Sequence, residues 1–348
     1  MATRKTMLPT LACGSALMLG ALTLPAFTFA GAPAPVNSRG AANEPEAAPE
    51  PEAHARPVVA PKDEVTYTTA EWKGERYPDG RPKVSDDVLS RMKIVSTEQA
   101  WGTLEEHGYH NQYSGDWKTL HSDKPVIGRA LTAQFRPSSP GLEKRLTKAG
   151  HAAGHDGQMN TWPIAMLKNH DVYVADGYGK TKDGTLIGGN LGHDIHARTH
   201  TGVVFDGSVR DVDELSDIKG FNAFVRSWHP SYIKEMMLAG VNTDIRVGEA
   251  VVLPGDVVLA RREGVVFIPA HLAKTVVEEA EEGLLRDTFV KQRLEEGKYT
   301  SGQVDKGWDE VDRKIKDDYH DWLEQNKNEL PVPADRVEEI IKETAAGT

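Results

Sequence analysis

The sequence predicts a mixed α/β fold, and three observations carry that prediction. Six short apolar segments bounded by turn residues are typical of strands: 126–132, 171–175, 202–205, 250–253, 257–260 and 265–268. A glycine-rich loop and a helical stretch, 190–200, separate the second segment from the third, which is the pattern of a parallel crossover. Only turn residues separate the last three segments, which indicates an antiparallel meander. A crossover beside a meander favours a layered mixed sheet over a fully wound parallel sheet.

Helices are predicted to complete this architecture. A long charged helix, 272–296, closes the domain, which we place at residues 65–298. The tail, residues 299–348, holds two amphipathic helical stretches, 308–324 and 333–343. The apolar residues of the first stretch share one helical face: Trp308, Val311, Ile315, Tyr319 and Trp322. This face predicts packing on the chain's own domain or on a neighbouring subunit.

The N-terminal residues are predicted to lie outside the domain. Two basic residues precede an apolar run that ends in Thr28-Phe29-Ala30, which is the pattern of a secretory signal peptide over residues 1–30. The alternatives are a membrane anchor, which glycines and prolines in the run disfavour, and a lipoprotein signal at Cys13. Residues 31–64 are rich in Pro, Ala and Glu and predict a disordered tether. We therefore expect an exported protein, periplasmic or secreted, with no stable membrane insertion once the signal is cleaved.

Composition excludes several classes of protein. The formal net charge of the 348 residues is −11, so the chain lacks the basic surface that nucleic-acid binding needs. Its one cysteine, Cys13, lies in the predicted signal peptide. The mature chain should therefore contain no thiol, which excludes disulfides, cysteine nucleophiles and thiolate zinc sites.

The segment 171–215 is the richest in residues that can carry chemistry. Gly188 and Gly189 directly precede the predicted helix, and unpaired backbone N–H groups at such a position form a site for a carboxylate or a phosphate. Arg210 and Asp211 follow the third strand, where the carboxylate can hold a metal ion and the guanidinium an oxyanion. An ordinary surface ion pair is the alternative.

Three histidines on the predicted helix offer a different chemistry. His193, His196 and His200 are spaced so that they share one helical face, an arrangement that can ligate zinc. The alternative is that some of them line a cleft while others face solvent. A hydrolytic or lyase reaction based on this face is therefore a separate functional hypothesis.

Five ordered blocks of the sequence carry a resemblance to a known family: 126–132, 176–177, 188–191, 202–211 and 252–269. In order and spacing they resemble the RraA-like family. That family includes the regulator of ribonuclease E activity and the divalent-metal aldolases that act on 4-hydroxy-4-methyl-2-oxoglutarate. The likeness covers about residues 96–297, so the tether and the tail lie outside it.

This resemblance implies a fold and an active site. The fold would be a layered ββα sandwich like the swivelling phosphohistidine domain, assembled as a homotrimer or hexamer with the site in a cleft between subunits. In the aldolase branch, the aspartate matched by Asp211 binds magnesium, and the arginine matched by Arg210 contacts the 2-keto oxygen of the substrate. Backbone amides of the loop matched by Gly189, Asn190 and Leu191 hold the substrate carboxylate.

At one position the sequence departs from the aldolases, because Gly189 stands where they carry an aspartate. Nearby polar residues are candidates to replace or support that side chain: Asp176, His193, Asp194 and Glu214. In the aldolases a neighbouring subunit also supplies an acidic residue. The candidates for that residue are Glu281, Glu282 and Asp287.

The resemblance therefore implies a lyase that uses Mg²⁺ or Mn²⁺ and acts on a small 2-oxo acid, either as an aldolase or as an oxaloacetate decarboxylase. Both reactions pass through a pyruvate enolate, whose new charge needs a metal ion and a fixed cation beside it. The alternative is a non-catalytic, exported binding or regulatory protein of the same family. In both cases we expect a small-molecule partner and no nucleic acid.

Overall fold

The computed structural model describes residues 57–346. The predicted signal peptide, residues 31–56 of the predicted tether and the last two residues lie outside the described part. Within the described part, no helix combines the length and the apolar character that crossing a membrane requires.

The described chain contains eleven strands and eleven α-helices. The strands are β1 (Tyr113–Ser114), β2 (Lys118–Thr119), β3 (Val126–Pro137), β4 (Asp171–Asp176), β5 (Val203–Val209), β6 (Ala223–Trp228), β7 (Met236–Val241), β8 (Ile245–Val247), β9 (Ala250–Val252), β10 (Val257–Arg261) and β11 (Gly264–Ile268). The helices are α1 (Lys62–Thr68), α2 (Asp86–Arg91), α3 (Thr97–Glu106), α4 (Pro140–Ala152), α5 (Trp162–Met166), α6 (Gly189–Thr199), α7 (Val212–Asp217), α8 (Ala273–Glu295), α9 (Ser301–Val304), α10 (Arg313–Asn326) and α11 (Ala334–Ala346).

A mixed sheet forms the centre of the fold. Its strand order is β1-β11-β10-β3-β4-β5-β6-β2, and β7 also pairs with β3. Strands β3 to β6 run parallel to one another, which confirms the predicted crossover from β4 through α6 to β5. The long strand β3 pairs antiparallel with β10 through its first half and with β7 through its second half. The sheet is therefore mixed, as predicted.

The predicted three-stranded meander is wrong in one strand. β10 and β11 form the expected hairpin, but β9 pairs with β8 in a separate two-stranded sheet. The reason is that the second edge of β10 is already occupied by β3. The turn after β9 is also tied to β3, because Gly255 N donates to Ala130 O at 2.8 Å.

Alternating residues of the central strands fill two apolar layers. On one face the strands pack against the helices through Leu131, Tyr173, Phe205, Ile195 and Leu215. On the other face they pack against the small β8–β9 sheet through Ala130, Val174, Val204, Ile245 and Val252. The layers are thus small sheet, large sheet and helices, which confirms the expected ββα sandwich.

The C-terminal helices pack on α8 of the same chain. One apolar cluster joins the two parts: Leu285, Phe289, Val311, Ile315, Tyr319 and Trp322. The apolar face of the tail therefore covers the chain's own domain, the first of the two predicted alternatives.

Residues 57–81 form an N-terminal strap that the sequence analysis did not resolve. Val59 forms a bridge with Val241 of β7, and α1 begins at Lys62. The last residues assigned to the tether are therefore packed on the domain. At the other end of the strap, the buried Arg81 donates to the buried carboxylate of Asp171 at 2.9 Å.

Asp256 is a buried carboxyl group at the turn before β10. It accepts hydrogen bonds from Leu253 N at 2.8 Å and from Ala270 N at 3.3 Å. Burial raises the pKa of Asp256 from 3.8 to about 7, so the folded chain binds this proton more tightly than the unfolded chain does. The resulting stabilisation is complete below about pH 4 and is lost as the pH rises through about 7.

We predict that wild-type stability falls more steeply with pH than that of Asp256→Asn, which cannot titrate. Between pH 4 and pH 7 the wild type should lose roughly 3 kcal/mol more of its free energy of unfolding than the variant does. Urea unfolding at a series of pH values measures both curves. Parallel curves for the two proteins would contradict this role of Asp256.

Candidate functional site

The candidate site lies where β5 ends and α6 begins. Arg210 and Asp211 directly follow β5, and Gly188 directly precedes α6. The loop before α6 runs beside β5, since Thr185 forms a parallel bridge with Ser208. This crossover brings the start of α6 back to the end of β5.

Asp211 directs its carboxylate toward the start of α6. Its Oδ2 accepts a hydrogen bond from Gly189 N at 3.2 Å and lies 3.3 Å from Arg210 Nη1. The backbone of Asp211 is left-handed, with φ 56°, a conformation that Asp adopts more readily than most residues. Although Asp211 is the N-cap residue of α7, its side chain does not cap that helix. The carboxylate is therefore bonded to the start of α6 and not to its own helix α7.

The cation and the carboxylate both remain open to a ligand. The side chains of Arg210 and Asp211 are 43% and 32% exposed. Arg210 is held at its main chain, because its N–H donates to Ile187 O at 3.1 Å. The first turn of α6 adds unpaired N–H groups and the positive end of the helix dipole. The site can thus bind an anion and a divalent cation side by side.

Gly188 and Gly189 allow side chains to lie directly on the start of α6. A Cβ at Gly188 would overlap Asp211 Oδ2 and would also press on the side chain of Arg210. A Cβ at Gly189 would overlap Glu214 Oε2. Two carboxylates therefore occupy the space that side chains at these adjacent positions would fill.

This donor set fits Mg²⁺ or Mn²⁺. Mg²⁺ is usually held by one or two carboxylates, while water and substrate take its other positions. Asp211 and Glu214 supply two carboxylates over the glycine pair. Within residues 57–346, no group of three or more His, Cys, Asp or Glu residues could hold a metal ion. A closed site made from protein ligands alone, as structural zinc requires, is therefore not formed in the described part.

The hypothesis of a three-histidine zinc face is not supported, because no group of three or more His, Cys, Asp or Glu residues within residues 57–346 could hold a metal ion. His200 directly follows the last residue of α6 and has a left-handed backbone, with φ 55°, and its ring lies edge-on to the His196 ring with the centroids 6.0 Å apart. Its Nδ1 lies 3.0 Å from Asn169 Oδ1. His196 packs edge-on against Phe221. A shared helical face for the three histidines requires a helix that continues through residue 200, but α6 ends at Thr199.

Two of the proposed supporting residues lie on the exposed face of α6. His193 and Asp194 are both exposed, and Asp194 forms an ion pair with Arg198 at 2.8 Å. Of the loop residues expected to bind a carboxylate, Asn190 is exposed and Leu191 is half-buried. Their main-chain N–H groups belong to the open first turn of the helix.

Asp176 belongs to a different group of charges. It ends β4, and its Oδ1 accepts a hydrogen bond from Tyr178 N at 3.0 Å. Burial raises the pKa of Asp176, and the nearby Asp206 adds to that effect. Among the predicted supporting residues, the structure brings Glu214, rather than Asp176, His193 or Asp194, onto the glycine pair.

Glu214 was among the predicted supporting residues, but the sequence pattern around it is typical of a different arrangement. Asp211 and Glu214 have the spacing of a capping box, in which both side chains would bond to their own helix. The structure shows no such cap at Asp211. Both carboxylates are instead directed toward the neighbouring helix α6.

Comparison with known proteins shows similarity over this whole region. The model of a family described as RraA-like, aldolase/RraA, matches residues 82–267. An uncharacterized protein of Methanocaldococcus jannaschii is 28% identical over 213 residues, which is 59% of this chain and 93% of that protein. Protein DlpA of Legionella pneumophila is 26% identical over 181 residues, which is 52% of this chain and 27% of that protein.

Solved structures share the fold. An uncharacterized protein from Pseudomonas syringae superposes with a TM-score of 0.53 at 20% identity, covering 66% of this chain and 98% of that chain. RraAS2 of Streptomyces coelicolor, described as an unusual member of the RNase ES inhibitor RraA protein family, superposes with a TM-score of 0.52 at 23% identity. That match covers 61% of this chain and 100% of that one. At these identities the likeness shows the fold alone.

We predict that Gly189→Ala displaces the Glu214 carboxylate and weakens Mn²⁺ binding about tenfold, the loss typical of a disturbed metal-site neighbour. Because both changes remove the same interaction, Gly189→Ala should have no further effect in a Glu214→Ala background. Gly102→Ala in α3 is the control, since a Cβ there meets no atom within 4 Å. Electron paramagnetic resonance of free Mn²⁺ measures the affinities. Equal tenfold losses in both backgrounds would show that Glu214 is not involved.

Proposed function

The chain belongs to the RraA-like family, the aldolase/RraA group, by its match over residues 82–267, and on that premise we propose that it is a divalent-metal-dependent lyase acting on a small 2-oxo acid. The observation that carries the proposal is the Arg210–Asp211 pair facing the glycine start of α6. A 2-oxo acid carries a carboxylate beside a keto oxygen. A guanidinium, a carboxylate and a helix N-terminus in one open site suit those two groups and a bridging cation.

Each group at the site has its own role in the proposal. The N–H groups of Gly189, Asn190 and Leu191 bind the substrate carboxylate, because a helix N-terminus favours an anion. For this, Gly189 N exchanges its hydrogen bond to Asp211 Oδ2 for one to the substrate. Arg210 donates to the 2-keto oxygen, where negative charge develops. Asp211 holds Mg²⁺ or Mn²⁺, with Glu214 as the second carboxylate. The ion, when bound, supplies a Lewis acid beside the keto group.

The reaction in the proposal breaks the C3–C4 bond of the oxo acid. From oxaloacetate, C4 leaves as CO2; from 4-hydroxy-4-methyl-2-oxoglutarate, the 4-hydroxyl loses its proton and C4 leaves as the keto carbon of a second pyruvate. The electrons of the broken bond form the enolate of pyruvate, and a proton from water added at C3 then gives pyruvate. Arg210 stabilises the enolate through its guanidinium, which lies against Gly188 with its Nη1 3.3 Å from Asp211 Oδ2. A charge fixed in advance costs no reorganisation as the enolate forms.

We also propose that a homotrimer or hexamer completes the site. Of the three candidates for the acidic residue from a neighbour, Glu281 is buried against Arg91 at 2.7 Å. Glu282 pairs with Arg336 of its own chain at 2.5 Å. Asp287 is exposed, so it is the candidate that another subunit can reach.

A non-catalytic binding protein is the second candidate. The observation that favours it is that Arg210 is 43% exposed beside the first turn of α6, where the two can hold an anion without a metal ion. Such a protein would hold an oxo acid on Arg210 and the α6 N–H groups without breaking a bond. Export through the predicted signal peptide belongs to both proposals.

We predict that the protein releases pyruvate from oxaloacetate or 4-hydroxy-4-methyl-2-oxoglutarate, that release needs Mg²⁺ or Mn²⁺, and that a chelator stops it. Asp211→Asn should lower kcat/KM by about 100-fold or more, because it removes the charge while Asn still tolerates the left-handed backbone. A coupled lactate dehydrogenase assay measures the pyruvate.

The matched control is Asp213→Asn, an exposed carboxylate two residues away, which should leave kcat/KM unchanged. Turnover that needs no metal, or that survives Asp211→Asn, would contradict the lyase proposal. Saturable binding of pyruvate with no turnover of any oxo acid would support the binding protein instead.

A further inference from the structure

A cavity of about 300 Å³ lies between the N-terminal strap and the rest of the domain, away from the Arg210 site. Three parts of the chain line it: Thr69, Glu71 and Trp72 of the strap, Tyr109 to Gln112 after α3, and Val251, Leu253, Asp256 and Pro269 to His271 around the β10–β11 hairpin. None of these residues belongs to the Arg210 site. The strap and the residues from Pro269 to His271 lie outside the family match at 82–267, so family membership does not account for these two parts of the lining.

The strap wall of the cavity is held in a fixed shape by Arg76. Its guanidinium donates to Thr69 Oγ1 and Thr69 O, both at 2.7 Å, to Gly80 O at 2.8 Å and to Trp72 O at 3.0 Å. These four bonds close residues 69–80 into one compact loop. Such a wall is formed before any ligand arrives, which lowers the cost of binding.

The cavity is acidic and aromatic. Glu71 and Asp256 contribute carboxyl groups, and Trp72 and Tyr109 contribute aromatic rings. Glu71 lines the same cavity as Tyr109 and His271. Among the described residues that line the cavity, none is a lysine or an arginine.

The Tyr109–His271 pair adds no positive charge, and the other histidine of the lining, His110, lies 2.8 Å from the Glu105 carboxylate. Tyr109 Oη lies 3.4 Å from His271 Nε2. Burial lowers the pKa of His271 below 6.5 and raises that of Tyr109 above 10. At neutral pH the imidazole is therefore uncharged and the hydroxyl protonated, so both act as neutral hydrogen-bonding groups.

We propose that this cavity binds a small organic ammonium ion, a primary amine with an apolar body. The ammonium group pairs with the Glu71 carboxylate and lies against the rings of Trp72 and Tyr109, which attract cations. The apolar body contacts Leu253 and Pro269. The cavity volume is at the lower end of the range for small-molecule sites. The two sites of the chain thus have opposite charge preferences, since the Arg210 site suits an anion.

Titration of the whole protein with 2-phenylethylammonium, followed by ligand-observed NMR, tests this proposal. The neutral alcohol 2-phenylethanol is the matched probe. The ammonium should bind about tenfold more tightly than the alcohol, as expected for a hydrogen bond to a charged partner. Glu71→Gln should remove that preference, and because Glu71 is exposed the variant should fold normally.

The control variant is Glu75→Gln in the same strap. Glu75 pairs with Lys83 at the surface at 2.8 Å and does not line the cavity, so the tenfold preference should persist. Equal affinities for the two probes, or a preference that survives Glu71→Gln, would overturn the proposal. Displacement of the amine by pyruvate would place it at the Arg210 site and would overturn the proposal as well. Loss of lyase turnover has no bearing on these outcomes.

Discussion

The missing side chains at Gly188 and Gly189 are the constraint on which the candidate site depends. Because neither residue has a Cβ, the carboxylates of Asp211 and Glu214 can lie directly on the start of α6. The same close approach continues along α6, where a Cβ at Gly192 would overlap Leu215 of α7. One steric condition therefore positions the helix N-terminus, the cation and both carboxylates together.

The sequence predicts the elements of this fold well where the signal is local. The runs that became β4 and β5 are apolar and bounded by turns, and the helix predicted at 272–296 matches Ala273–Glu295 closely. Strand pairing is not local. β9 has the same apolar character as β10, but its partner is decided by competition with β3 for the edge of β10.

The candidate site shows the same difference between features set by local sequence and features set by distant contacts. Arg210, Asp211 and the glycine pair were predicted because they adjoin a strand end and a helix start. The end of α6 at His200 and the contact of Glu214 with Gly189 depend on how two helices meet, which spacing alone does not report. The packing of the strap on the domain was not predicted, because it depends on distant polar contacts, such as that of Arg81 with Asp171 at 2.9 Å. The sequence of the strap also shows no regular spacing of apolar residues that would indicate a buried helix or strand.

The central claim is that Arg210, Asp211 and the start of α6 bind an oxo acid together with a divalent cation. A crystal structure of the protein grown with Mn²⁺ and oxalate tests it most directly, because oxalate resembles the planar enolate of pyruvate and Mn²⁺ is located by its anomalous scattering. We expect a manganese peak on the Asp211 carboxylate, and oxalate in contact with Arg210 and Gly189 N. Manganese or oxalate bound elsewhere, or neither bound at saturating concentration, would contradict it.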